Sequence, residues 1–169
     1  MKMRLALIAS LSCLVLACTK NPLEVTISSC PAVAVVGDLG SVTRFAGEGR
    51  TASDIAYTAS VNDVRITCTE EENVVSYVTF DLVGRAGPAL SGGSQSLSYF
   101  VAVMKDNNVV ITKSIYDVAL RFAPDGSIMV PKQAIQNVIP SLSQAQKYDY
   151  EILIGLQITP EEAAYNVAR

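Results

Sequence analysis

Apolar and polar positions alternate in twos along most of the chain. Val64, Ile66 and Cys68 alternate with Asp63, Arg65 and Thr67, and Val78, Phe80 and Leu82 alternate with Tyr77, Thr79 and Asp81. Successive side chains of an extended backbone point to opposite faces, so each run predicts a strand with one buried and one wet face. The clearest run is the last. There Tyr150, Ile152, Ile154, Leu156 and Ile158 alternate with Asp149, Glu151, Leu153, Gly155 and Gln157. Residues 97–104 are apolar on both faces and predict a central strand. Other strands are expected at 30–36, with Cys30, Ala32, Ala34 and Val36 sharing a face, at 41–45, at 54–69, at 109–114 and at 128–130. One more is expected at 116–122, where Tyr116, Val118, Leu120 and Phe122 face one way.

Turn residues punctuate these runs. Gly37-Asp38-Leu39-Gly40, Lys105-Asp106-Asn107-Asn108 and Pro124-Asp125-Gly126 read as turns, and Glu70-Glu71-Glu72-Asn73 as a solvated hairpin turn. Residues 46–53 read as an exposed loop, the Gly/Ser-rich 84–96 as a flexible connection, and the Gln-rich 131–147 as a loop with one helical turn. A helix start follows the last strand: Thr159 suits an N-cap, Pro160 the first helical position, and Glu162 completes a capping box. About eight short strands without a crossover helix predict an all-β, antiparallel β-sandwich with a short C-terminal helix. An immunoglobulin-like topology is compatible with this pattern, and a small β-barrel is the alternative.

The N-terminus is patterned differently. Behind Lys2 and Arg4, residues 5–18 (LALIASLSCLVLAC) carry no charge. The run up to Ala17 is too short to span a hydrocarbon core about 30 Å thick, but suits the apolar region of a secretory signal peptide. Its ending, Val15-Leu16-Ala17-Cys18, resembles the lipobox of bacterial lipoprotein precursors, with Val15 and Leu16 departing from the commoner residues. That resemblance implies lipid on the Cys18 thiol and removal of residues 1–17. Cys13, preceded by Ser12, is the weaker candidate. Thr19, where Asp would favour the inner membrane, implies the outer membrane. The expected organisation is a signal peptide at 1–17, a lipidated tether at 18–29 and one domain at 30–169.

Composition narrows the function classes. Loss of Lys2 and Arg4 takes the net charge from −3 to −5, with no basic block, which argues against nucleic-acid binding. With Cys13 removed and Cys18 lipidated, Cys30 and Cys68 remain, and in an oxidising compartment they predict one disulfide. Histidine is absent, which excludes Ser-His-Asp and Cys-His catalysis and imidazole zinc sites. Gly92-Gly93-Ser94-Gln95-Ser96 falls short of a G-x-S-x-G elbow, so Ser94 reads as a linker serine. Asp106-Asn107-Asn108 and Glu70-Glu71-Glu72 lack the spacing of a calcium loop. No catalytic residue, cofactor or metal is expected.

The runs SSCPAVAVVGDLGSVTRF, VRITC and LIGLQITPEEAAYNVAR together resemble a group of small envelope lipoproteins of Gram-negative, alphaproteobacterial cells. The resemblance covers most of the chain after Cys18. It implies envelope location and brings no activity or catalytic residue to these positions. The expectation is a protein lipid-anchored at the periplasmic face of the outer membrane, with a structural or protein-binding role through an exposed strand edge. An envelope hydrolase using Ser, Lys and acidic residues is the alternative.

Overall fold

The computed structural model describes residues 28–91, 93–130 and 132–168. The signal-like stretch, Cys18, Thr19 and most of the tether lie outside the described residues. The strands are β1 (Ala32–Val35), β2 (Ser41–Phe45), β3 (Ile55–Glu70), β4 (Val74–Ala86), β5 (Ser94–Lys105), β6 (Val109–Phe122), β7 (Ile128–Met129), β8 (Gln133–Ile139) and β9 (Tyr150–Leu156). Two helices, α1 (Leu142–Lys147) and α2 (Pro160–Val167), flank β9. One sheet runs β1-β9-β5-β6-β7 and the other β2-β3-β4-β8. Every pairing is antiparallel except that of β1 with β9. The β-sandwich is thus formed. Its consecutive β2-β3-β4 order differs from the ABED order of an immunoglobulin constant domain.

The inner faces hold the alternating residues. Tyr57, Ala59, Val61, Val78, Phe80 and Leu82 from one sheet meet Leu97, Tyr99, Val101, Val103, Ile152, Ile154 and Leu156 from the other. Phe80 meets Tyr99 edge-on with ring centroids 5.2 Å apart, and Tyr99 stacks on Tyr116 at 5.1 Å. Strand β5 is central, between β9 and β6, and its other face is buried too. There Phe100 lies against Gly155, where a Cβ would come within 2.6 Å of the ring.

Strand β3 changes its inward face partway. Tyr57, Ala59 and Val61 point in before residue 62, and Val64, Ile66 and Cys68 after it. The pairing slips between Asn62 and Arg65, where β3 holds one residue more than β4. Such a bulge inverts the side-chain alternation beyond it. Asp63, in the bulge, has φ 48°, a left-handed conformation that Asp tolerates better than most residues. Cys68 therefore faces inward and is bonded to Cys30, with Cα atoms 5.8 Å apart. Cys30 precedes β1 of the other sheet, so the bond ties the two layers together at one end.

Several elements differ from the sequence expectation. In β1 the core takes Val33 and Val35, while Ala32 and Ala34 face out, because the larger apolar side chains gain more from burial. The 84–96 connection is shortened from both ends: β4 continues to Ala86 and β5 begins at Ser94. Gly84 lies within β4 because the Thr58 carbonyl leaves no room for a Cβ there. The expected strands at 109–114 and 116–122 form one. The expected loop at 131–147 contains β8 and α1. On β8 the half-buried positions include Gln133 and Asn137, and the Gln133 side-chain carbonyl accepts the Tyr99 hydroxyl at 3.1 Å.

At the disulfide end, the Ser28 hydroxyl and the Ser29 amide donate to the Glu70 carboxylate at 2.6 and 2.9 Å. These bonds, the Ser28 bond foremost, hold the Glu70 pKa below its ordinary value. Three outcomes are expected at this corner. Cys30→Ser is expected to lower unfolding stability by about 2–5 kcal/mol, read from denaturant melts. The unsubstituted protein should resist thiol labelling at Cys30 and Cys68 until reduced. Because the folded pKa of Glu70 is depressed, its support is present above the ordinary glutamate range and fades as pH falls through the folded value. The Ser29 amide should therefore lose hydrogen-exchange protection selectively in acid, and Glu70→Gln should remove that pH step.

Candidate interaction surface

A sheet edge exposes unpaired N–H and C=O groups, and proteins keep such edges short, charged or covered. Here β1 is short, and β2 is covered by α2. The Thr159 cap of α2 is closed by reciprocal bonds with Glu162 at 2.8 and 3.2 Å. This places Glu162 2.8 Å from Arg44, and Tyr165 edge-on to Phe45 at 5.3 Å. The Asn166 amide donates to the Ser41 carbonyl of β2 at 2.7 Å.

Strand β6 is treated otherwise. Strand β7 pairs with it only at Arg121 and Phe122, so residues 109–120 have no strand on that side among the described residues. This run also exposes apolar side chains. Val110 is 58%, Ile111 53% and Ile115 57% accessible, and Val109 and Tyr116 are exposed as well. Pairing of Phe100 with Ile115 puts Ile115, Lys113 and Asp117 on the outer face of the sheet, opposite the core side occupied by Tyr99. The Lys113 ammonium lies 4.4 Å from the centre of the Phe100 ring, and the Ser98 hydroxyl donates to Asp117.

An open cleft of about 790 Å³ runs between this edge and β8. Val118, Ala119 and Arg121 line one side, and Val130, Gln133 and Ala134 the other. At its rim the Lys132 ammonium bridges Asp63 at 3.1 Å and Asp81 at 3.2 Å. Asp63 also meets Arg65 at 2.8 Å. The Arg65 and Lys132 hydrogen bonds hold the Asp63 pKa down, and Asp63 foremost raises that of Lys132. The Lys132 bridge to Asp63 and Asp81 fastens the approach to β8.

The residues weighed for chemistry in the sequence are dispersed. Ser94 opens β5 opposite Arg121. Glu71 sits in the β3–β4 turn, its amide bonded to the Asn73 carbonyl, and the Glu72 carbonyl accepts the Leu142 amide. Asp106 and Asn107 form the β5–β6 turn at φ 52° and 56°, where the Asp106 carboxylate accepts the Asp149 amide. Among the described residues no three Asp, Glu, Cys or His groups are arranged to hold a metal ion. No described helix is long and apolar enough to cross a membrane.

Sequence reasoning placed a strand at 109–114 but did not mark it as an edge. Its composition, Val109-Val110-Ile111 without alternation and then Lys113 and Ser114, does not distinguish an edge from a central strand. Comparison of this chain with protein-family models, with curated proteins and with solved structures found no match to any of them.

Proposed function

We propose that this chain is an envelope lipoprotein, lipidated on Cys18 and held at the periplasmic face of the outer membrane, whose sandwich domain acts by contact with protein rather than by catalysis. The observation that carries the contact reading is the free edge of β6. It offers a row of backbone hydrogen-bonding groups flanked by exposed Val110, Ile111 and Ile115. An extended segment added to such an edge gains ladder hydrogen bonds for affinity and side-chain contacts for specificity.

The carboxylates with resolved shifts are consistent with the same reading. A general acid or base works best with a pKa near the operating pH. The carboxylates with resolved shifts, Asp54, Asp63, Glu70, Asp125 and Glu161, all move down, away from neutrality. Each is held down by hydrogen bonds in an exposed position.

The lipid anchor rests on the sequence. One acyl chain gives marginal membrane binding, whereas two or more hold firmly. Intact mass spectrometry of protein extracted from membranes should find the chain beginning at Cys18 with diacylglycerol on its thiol. An unmodified Cys18, or a start elsewhere, would reject the anchor. For the contact reading, Ile115→Lys should remove the crosslinked species formed by the protein in intact envelopes while leaving its circular dichroism unchanged. Hydrolase turnover by the purified protein that Ser94→Ala abolishes would overturn the non-enzymatic reading.

A further inference from the structure

Resting on the contact reading, we infer that the strand added to β6 is β6 of a second copy of this chain. The two copies pair antiparallel about a two-fold axis at Ile115. Such an interface is isologous, so every residue meets its mirror position and the surface must complement itself. About this axis Lys113 of each copy stands opposite Asp117 of the other, on the outer face they share with Ile115. Ser114 stands opposite Tyr116 and Thr112 opposite Val118, while the two Ile115 side chains meet on the axis and cover each other's exposed surface.

The charges also select the register. An axis at residue 113 would set Lys113 against itself, and an axis at 117 would set Asp117 against itself. Like charges directly opposite are destabilising and opposite charges favourable, so both alternatives are penalised while the axis at 115 forms two complementary pairs. The space available agrees. The irregularity between Val103 and Met104 leaves Ile111 as the extra residue of β6, and β7 occupies the edge from Arg121. Residues 112–120 lie between these limits, long enough to hold the 112–118 run that pairs about Ile115.

Directly opposed residues of an antiparallel pair have Cα atoms about 4.5–5.5 Å apart, within disulfide reach. The test is therefore Ile115→Cys in the full chain, oxidised in membranes and resolved on a non-reducing gel against the unsubstituted chain. A band at twice the mass is expected. Val109→Cys, also exposed but off the axis, should give at least about fivefold less, since its distant counterpart lies beyond disulfide reach. Adding Lys113→Asp to Ile115→Cys should reduce the band several-fold, and adding Asp117→Lys as well should restore it. Sedimentation of the detergent-extracted unsubstituted chain should give a dimer. No band with Ile115→Cys, bands of equal strength at 109 and 115, or a charge swap that fails to restore the band would overturn the inference. If the chain sediments as a monomer and Ile115→Lys removes a crosslink to a different envelope protein, the second copy is rejected while the contact reading stands. If Ile115→Lys changes no crosslinked species, both fall.

Discussion

The structure depends on the one-residue slip in β3. A strand of this length, running straight through, would present only one set of alternating positions to the core. Tyr57, Ala59 and Val61 would then point in, and Val64, Ile66 and Cys68 out. The extra residue at the bulge lets both sets face the core in one continuous strand. Two consequences depend on it. Val64 and Ile66 extend the apolar layer beyond Val61, and Cys68 turns toward Cys30 instead of solvent. Asp63 occupies the distorted position and uses its exposed carboxylate to hold Arg65 and Lys132. The backbone irregularity thereby gains a local hydrogen-bonding partner set, although exposed ion pairs of this kind contribute little stability individually.

The sandwich was legible in the sequence wherever alternation was carried by apolar side chains. The runs at 64–68 and 78–82 are strands with the expected faces, and the Cys30–Cys68 bridge forms. Strand β9 buries Ile152, Ile154 and Leu156 as expected, but its other face is not wet, since Glu151 and Leu153 are half-buried and Gly155 is buried. The capping box at Thr159 is in place because its signal is local and stereochemical. Legibility failed where tertiary contacts replaced the pattern. Strand β8 carries Gln133 and Asn137 toward the interior, so its alternation reads as polar noise until the Tyr99 hydroxyl is seen to need a partner. Strand β1 is apolar in both phases, and Val33 and Val35 face the core opposite Ile152 and Ile154 of β9. Gly84 and Ser94 suggested a loop by composition, whereas the chain pairs through both because β3 and β6 are long enough to template them.

The interaction surface was harder to read, since an edge is a property of the sheet and not of a strand. Nothing in residues 109–114 states that β7 will cover only two positions of β6. The same run placed between two neighbours would be an ordinary interior strand, and its Val and Ile residues would need no further account. Its meaning comes from the strand order, which places β6 outside β5 and leaves only the two-residue β7 beyond it.

The contrast between the edges of β2 and β6 gives the β6 edge its weight. A chain that spends an entire capped helix covering the five residues of β2, down to an Asn166 bond to an edge carbonyl, has the means to close an edge. Among the described residues the longer run of β6 has no such cover, and it carries branched apolar side chains. Long, flat, apolar edges are the sites at which sheets join other sheets. In such a setting a lone Lys113 would discourage indiscriminate pairing. A Lys113 and an Asp117 placed symmetrically about Ile115 do more, since they penalise displaced registers and favour one. In the self-pairing inferred above, the same two charges would both protect the edge from random association and set the register of the one association.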